Sequence, residues 1–166
     1  MSSSSTLPSI AERLAPLLQR VPRVQQPLLI ALAERMAAER YREWAAKVTQ
    51  PDHKSALLAC ADREEEIARR VEALYPTAAS TQRELLEANP DLIEINRSLF
   101  APYSLEEQFK IQAQGERVGA ATWRAFAKHE TNSQAREVLL GCALLEEENA
   151  AFLESLAVGG LPRNIA

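Results

Sequence analysis

Four glutamates carry the chemistry open to this sequence: Glu34, Glu64, Glu116 and Glu146. Each interrupts an otherwise apolar stripe that repeats at spacings of three and four, the pattern of a helix face turned toward a core. Ala31, Ala37, Ala38, Tyr41 and Ala45 flank Glu34, while Cys60, Ala61, Ile67, Ala68 and Val71 flank Glu64. Ala113, Gly119, Ala120 and Trp123 surround Glu116, and Cys142, Ala143, Asn149, Ala150 and Leu153 surround Glu146. Burying a single unpaired carboxylate is costly, and four that converge also repel one another until some of them bind protons. Compensation has three forms: metal cations, shared protons, or neighbouring arginines, for which Arg35, Arg63 and Arg117 are the candidates. Glu65, Glu66, Glu147 and Glu148 fall off the stripes and read as a solvated face.

The elements that must position these carboxylates are helices. Ser9 to Glu12 has the spacing of a capping box and opens a short helix that closes before Pro22. Long helices are expected over 25–48, 51–74, 104–129 and 132–157, with Pro51 in a first turn and Ser104–Glu107 as a second capping box. Asn132 or Ser133 caps the last of them, and Gly159 and Gly160 stop it.

Residues 31–74 align without gaps on 113–156, and 17 of the 44 positions are identical. The matches include Glu34 with Glu116, Cys60 with Cys142, and Glu64-Glu65-Glu66 with Glu146-Glu147-Glu148. A duplicated helical hairpin is the simplest source of such a pattern, with repeat units 25–74 and 104–157. The connection over 75–103 is long enough to retrace a helix, so an all-α four-helix bundle with a long crossover is expected over 9–158.

These motifs resemble the rubrerythrin-type branch of the ferritin-like superfamily. Its members carry Glu-x6-Tyr on the first helix of each hairpin and Glu-x-x-His on the second. Here Glu34 is followed by Tyr41, and Glu116 by Trp123 at the tyrosine position. Glu64 and Glu146 are kept, but Ile67 and Asn149 stand where the histidines belong. The resemblance implies a ferritin-like bundle and a di-metal centre of iron or manganese, ligated by Glu34, Glu64, Glu116 and Glu146. Tyr41 would hydrogen-bond beside it. Ile67 cannot ligate, whereas Asn149 can offer a carbonyl oxygen that suits hard ions. The expected role is oxygen- or peroxide-linked redox chemistry or metal storage. The alternative is a metal-free helical scaffold acting through protein contacts.

His53 and His129 lie 11 and 13 residues from Glu64 and Glu116 along the chain, toward the hairpin ends, too far to replace the missing ligands. Cys60 and Cys142 read as small core residues, as Trp44 and Trp123 read as core aromatics. A net charge of −4 with no basic stripe gives no reason to expect nucleic acid. No apolar run is long enough to span a bilayer. With two cysteines and no apolar leader, a serine-rich disordered tail over 1–8 and a cytoplasmic setting are expected. A homodimer through an exposed helix face is expected as well.

Overall fold

The computed structural model describes residues 7–159. The tail expected over 1–8 and Gly160 fall mostly or wholly outside that range. Seven α-helices and one short 3-10 turn make up the regular structure, with no strand among the described residues. The first helix, α1 (Ile10–Arg20), starts where Ser9 Oγ accepts from the Glu12 amide and ends at extended Val21, before Pro22. The four long helices are α2 (Gln26–Lys47), α3 (Pro51–Glu72), α6 (Leu105–His129) and α7 (Ser133–Gly159).

Their termini follow from local chemistry. Pro27 and Pro51 occupy first turns, where a missing N–H costs nothing. Asn132 caps α7 by accepting from the Ala135 amide at 2.9 Å. Ser104 caps α6 reciprocally: its Oγ accepts from the Glu107 amide, and Glu107 Oε2 accepts from the Ser104 amide. Replacing Ser104 by alanine should therefore lower folding stability by about 1 kcal/mol in urea denaturation. An unchanged midpoint would show that the cap contributes nothing.

The segment 75–103, expected as a plain crossover, contains two further helices, α4 (Ala78–Ala88) and α5 (Asp91–Ser98). Pro76 and Pro90 punctuate them, and each helix buries a narrow apolar edge, Leu85 in α4 and Leu92 in α5. The crossover is therefore part of the core. Leu85 and Leu92 join Leu17, Leu28 and Leu29 in one cluster, and Phe100, just past α5, meets Trp44 edge-on at 6.1 Å.

Short turns at 48–50 and 130–132 fold α2 onto α3 and α6 onto α7, and the two hairpins meet chiefly along α3 and α7. On the other side α1 lies across α6 and α5. Two further apolar clusters fill the space among the four long helices. One is built around Tyr41, Trp44 and Phe109, the other around Ile67, Trp123 and Val71. Glu34, Glu64, Glu116 and Glu146 fall in sequence between the members of these two clusters on all four helices, so a carboxylate layer separates them. Among the described residues no helix is long and apolar enough to cross a membrane.

Candidate metal centre

All four glutamates are buried, at 8%, 0%, 1% and 2% exposure for Glu34, Glu64, Glu116 and Glu146. One carboxylate oxygen from each of Glu34, Glu64 and Glu146 lies within 4.8 Å of the other two. Carboxylate oxygens accept hydrogen bonds but donate none unless protonated, so such a cluster holds together only with a proton or a cation between its members.

Glu116 sits beside the three but has its own partners. Its Oε1 accepts from the Tyr41 hydroxyl at 2.6 Å and from Gln112 Nε2 at 2.7 Å. Gln112 lies one turn before Glu116 on α6, the spacing that stacks two side chains on one helix face. Glu146 Oε1 accepts from the Trp123 indole at 2.9 Å, and Glu64 Oε1 from Asn149 Nδ2 at 2.6 Å. Glu64 Oε2 and Glu116 Oε2 are fully enclosed and have no hydrogen-bond partner. Buried polar atoms of this kind are rare, and a missing ion or water is among their ordinary explanations.

Burial and mutual repulsion shape the ionisation. Burial first, then the charge of Glu116, raises the Glu34 pKa from 4.5 to about 7. Glu64 and Glu146 are pushed well above the usual carboxylate range, again by burial first and by the neighbouring glutamates second. None of the three candidate arginines pairs with them, and the buried Arg40 acts on Glu34 only through its charge, the smallest of the causes on that group. Arg35 pairs with Glu65 and Glu72, Arg63 with Glu148, and Arg117 with Glu154. The off-stripe acids behave as the periodicity predicts. Glu65, Glu66, Glu147 and Glu148 all form partly exposed ion pairs, worth little individually.

Asn149 reaches the layer, but as a donor. Its Nδ2 faces Glu64 while its Oδ1 accepts from Arg63 Nη1 at 3.2 Å. With Arg63 holding the carbonyl, the amide nitrogen is the end presented to the carboxylates, so the expected carbonyl ligation is not the arrangement found. Ile67 is wholly buried in the apolar cluster and offers no ligand atom. His53 lies in the first turn of α3 and His129 ends α6, away from the carboxylate level on both helices. Cys60 and Cys142 are buried thiols whose pKa values burial raises to about 12, which keeps them protonated and inert.

Arg40 was not singled out by the stripes, yet it is buried, with 8% exposure. Its guanidinium donates to Gln112 Oε1 at 2.7 Å and to Asn96 Oδ1, and it lies 3.7 Å over the Phe100 ring. Through Gln112 it is linked to Glu116, in the order Arg40, Gln112, Glu116, Tyr41. Replacing Tyr41 by phenylalanine removes the one hydroxyl donor of this chain. The expected cost is about 1–3 kcal/mol of stability in urea denaturation, because it leaves a buried acceptor underpaired. A neutral result would mean that Glu116 is satisfied without Tyr41.

A cleft of about 270 Å³ between α2 and α6, roofed by α1, opens onto the layer. Glu34, Glu116 and Glu146 line its floor, and apolar side chains such as Leu14, Leu17 and Ile30 line much of the rest. Gly119 lets Glu146 approach: a β-carbon there would stand 2.6 Å from Glu146 Oε1.

Together these features define a class: an all-helical chain with a buried cluster of oxygen donors reached by an apolar cleft. No family model matches the chain, and no curated protein or solved structure matches it either.

Proposed function

We propose that the chain is a ferritin-like metal protein whose carboxylate layer binds one divalent cation through Glu34, Glu64 and Glu146. The observation that carries this reading is the convergence of three buried carboxylates within 4.8 Å, none of them in an ion pair with an arginine among the described residues. The donor set is all oxygen, which suits hard ions such as manganese(II), iron(II) or magnesium better than softer ones. Glu116, held by Tyr41 and Gln112, stands next to the three and contributes charge from outside the cluster. Two hairpins joined by a long connection, each long helix carrying one buried glutamate, support the ferritin-like reading of the fold.

With iron or manganese bound, such a centre supplies oxygen- or peroxide-linked redox chemistry, or stores the metal. The residues of this chain prepare it in separate ways. Trp123 and Asn149 orient Glu146 and Glu64 by donating to one oxygen of each. Ile67 and the surrounding apolar cluster exclude water from one side, while the cleft gives access from the other.

A thermal-shift titration of the chelated protein tests the reading. Manganese(II) or anaerobic iron(II) at a hundredfold excess over its dissociation constant should stabilise the fold by about 2.7 kcal/mol. The shift should vanish in Glu64→Ala and Glu146→Ala. The raised pKa of Glu34 favours a second reading, in which shared protons do the work and the chain is a metal-free scaffold. That reading stands if none of manganese, iron, zinc or magnesium moves the transition.

A further inference from the structure

Of the four buried carboxylates Glu34 keeps the widest opening, 8% of its surface against 2% or less for the others, and it lines the cleft between α1, α2 and α6. It is also the one without a donor. Tyr41 and Gln112 donate to Glu116, Trp123 to Glu146 and Asn149 to Glu64. Among the described residues no nitrogen, and no serine, threonine or tyrosine hydroxyl, donates to Glu34. Its close polar neighbours are Glu64 and Glu146, carboxylates that accept but cannot donate while ionised. A carboxylate desolvated in this way is incomplete on its cleft side. What completes it must bring N–H or O–H donors, and a positive charge makes those bonds stronger.

Arg40 does not fill that role. It lines the cleft six residues further along α2, about 9 Å at 1.5 Å per residue, and its guanidinium is turned to Gln112 and Asn96. Glu116, Glu64 and Glu43 supply its counter-charge. On the other side of Glu34 the wall is apolar, with Ile30 and Leu29 on α2 and Leu14, Leu17 and Leu18 on α1. Glu116 and Glu146, the other acids of the floor, add negative charge and no donor. The walls therefore fit an occupant with a cationic head rich in N–H donors and an apolar body. At about 30 Å³ per water-sized group, the space holds on the order of nine such groups, a head and about eight carbons at most.

We propose that this cleft binds an aliphatic primary amine, its ammonium on Glu34 and Glu146 and its chain beneath α1 toward Ile30. The site rests on the cleft and on Glu34, and stands whether or not the layer holds a metal ion. A metal ion and an ammonium compete for Glu34, so the titration is made on chelated protein.

Isothermal titration of the full chain at neutral pH with hexylamine, 1-hexanol and hexanoate tests it. Hexylamine should bind one to one and on the order of tenfold tighter than either of the others, because it alone brings charge-assisted donors. Glu34→Gln should reduce hexylamine to the level of hexanol while leaving hexanol unchanged. Because a change within the layer also alters stability, Ala33→Trp serves as the second variant: it fills the cleft, keeps Glu34, and should abolish binding of hexylamine and hexanol alike. Hexanol or hexanoate binding as tightly as hexylamine, hexylamine binding unchanged in Glu34→Gln or in Ala33→Trp, or no binding to the folded wild type would each overturn the proposal. The metal content of unchelated preparations decides the other reading separately, so either can fail alone.

Discussion

Changing Glu64 and Glu146 together to glutamine should abolish metal binding and at the same time make the chelated protein more stable above neutral pH. Glutamine keeps the shape and the carbonyl acceptor, so the bonds from Asn149 and Trp123 survive. What it removes is a charge that the interior disfavours. The direction follows from proton linkage. A carboxylate whose folded pKa lies above its unfolded value adds stability that is fully present below the unfolded pKa and is lost as pH rises through the folded one. Glu34, raised from 4.5 to about 7, loses on the order of 3 kcal/mol across that window, and Glu64 and Glu146 shift in the same direction. Glu66, Glu72, Glu107 and Glu154 have lowered pKa values, held down by Arg69 and Arg70, Arg35 with Gln82, Ser104 and Arg117. Their contribution changes only below the ordinary carboxylate range and leaves the interval between pH 5 and 8 to the buried layer. Chelated wild-type protein should therefore melt roughly 5–10 °C lower at pH 8 than at pH 5. The double glutamine variant should remove the share of the slope due to Glu64 and Glu146 and keep that of Glu34, whose shift comes from burial and Glu116. A wild-type transition that rises with pH would mean that the layer is not desolvated as described.

Gly119→Ala should weaken metal binding by on the order of a hundredfold while barely changing stability. The new β-carbon would meet Glu146 Oε1 at 2.6 Å, Cδ at 2.8 Å and Oε2 at 3.0 Å, so the whole carboxylate has to move. Its indole bond to Trp123 and its place beside Glu34 and Glu64 move with it. A ligand displaced by a fraction of an ångström no longer closes the three-oxygen cluster. Alanine in a helix interior gains up to about 1 kcal/mol over glycine, which offsets much of the crowding. Gly115→Ala is the matched control. There the β-carbon would crowd Ile10 Cδ1, at 2.5 Å, the flexible end of an apolar side chain on α1, with the rest of Ile10 at ordinary contact distance. Manganese affinity measured by titration should stay at the wild-type value in Gly115→Ala and fall in Gly119→Ala. Equal affinities would remove Glu146 from the ligand set.

The helices and their ends were legible because their signals are local. Ser9, Ser104 and Asn132 cap as their types predict, and Pro51 sits in a first turn. The apolar stripes put all four glutamates at one level, since a fixed rise per residue turns equal spacing into equal depth. The helices of the crossover were not legible. α4 and α5 have 11 and 8 residues, and each buries too narrow a face for its period to stand out. Arg40 was missed for a different reason. It lies beside the Glu34 stripe, and its burial is imposed by α5 and Phe100 from outside the hairpin.

The offset that aligns the two halves carried a signal that was readable in principle. At that offset Gln112 faces Ile30, Asn149 faces Ile67, and Gly119 faces Ala37. These are three of the inner-face positions where the halves differ in polarity or size, and all three touch the carboxylate layer in the structure. The direction in which Asn149 turns its amide was beyond sequence, because Arg63 on the neighbouring hairpin sets it.

Elemental analysis of the untagged chain, purified without chelators, should find close to one divalent ion of manganese, iron or magnesium per chain, lost in the double glutamine variant. A chain that stays free of metal, and remains so after reconstitution with each of these ions, would contradict metal binding by the layer.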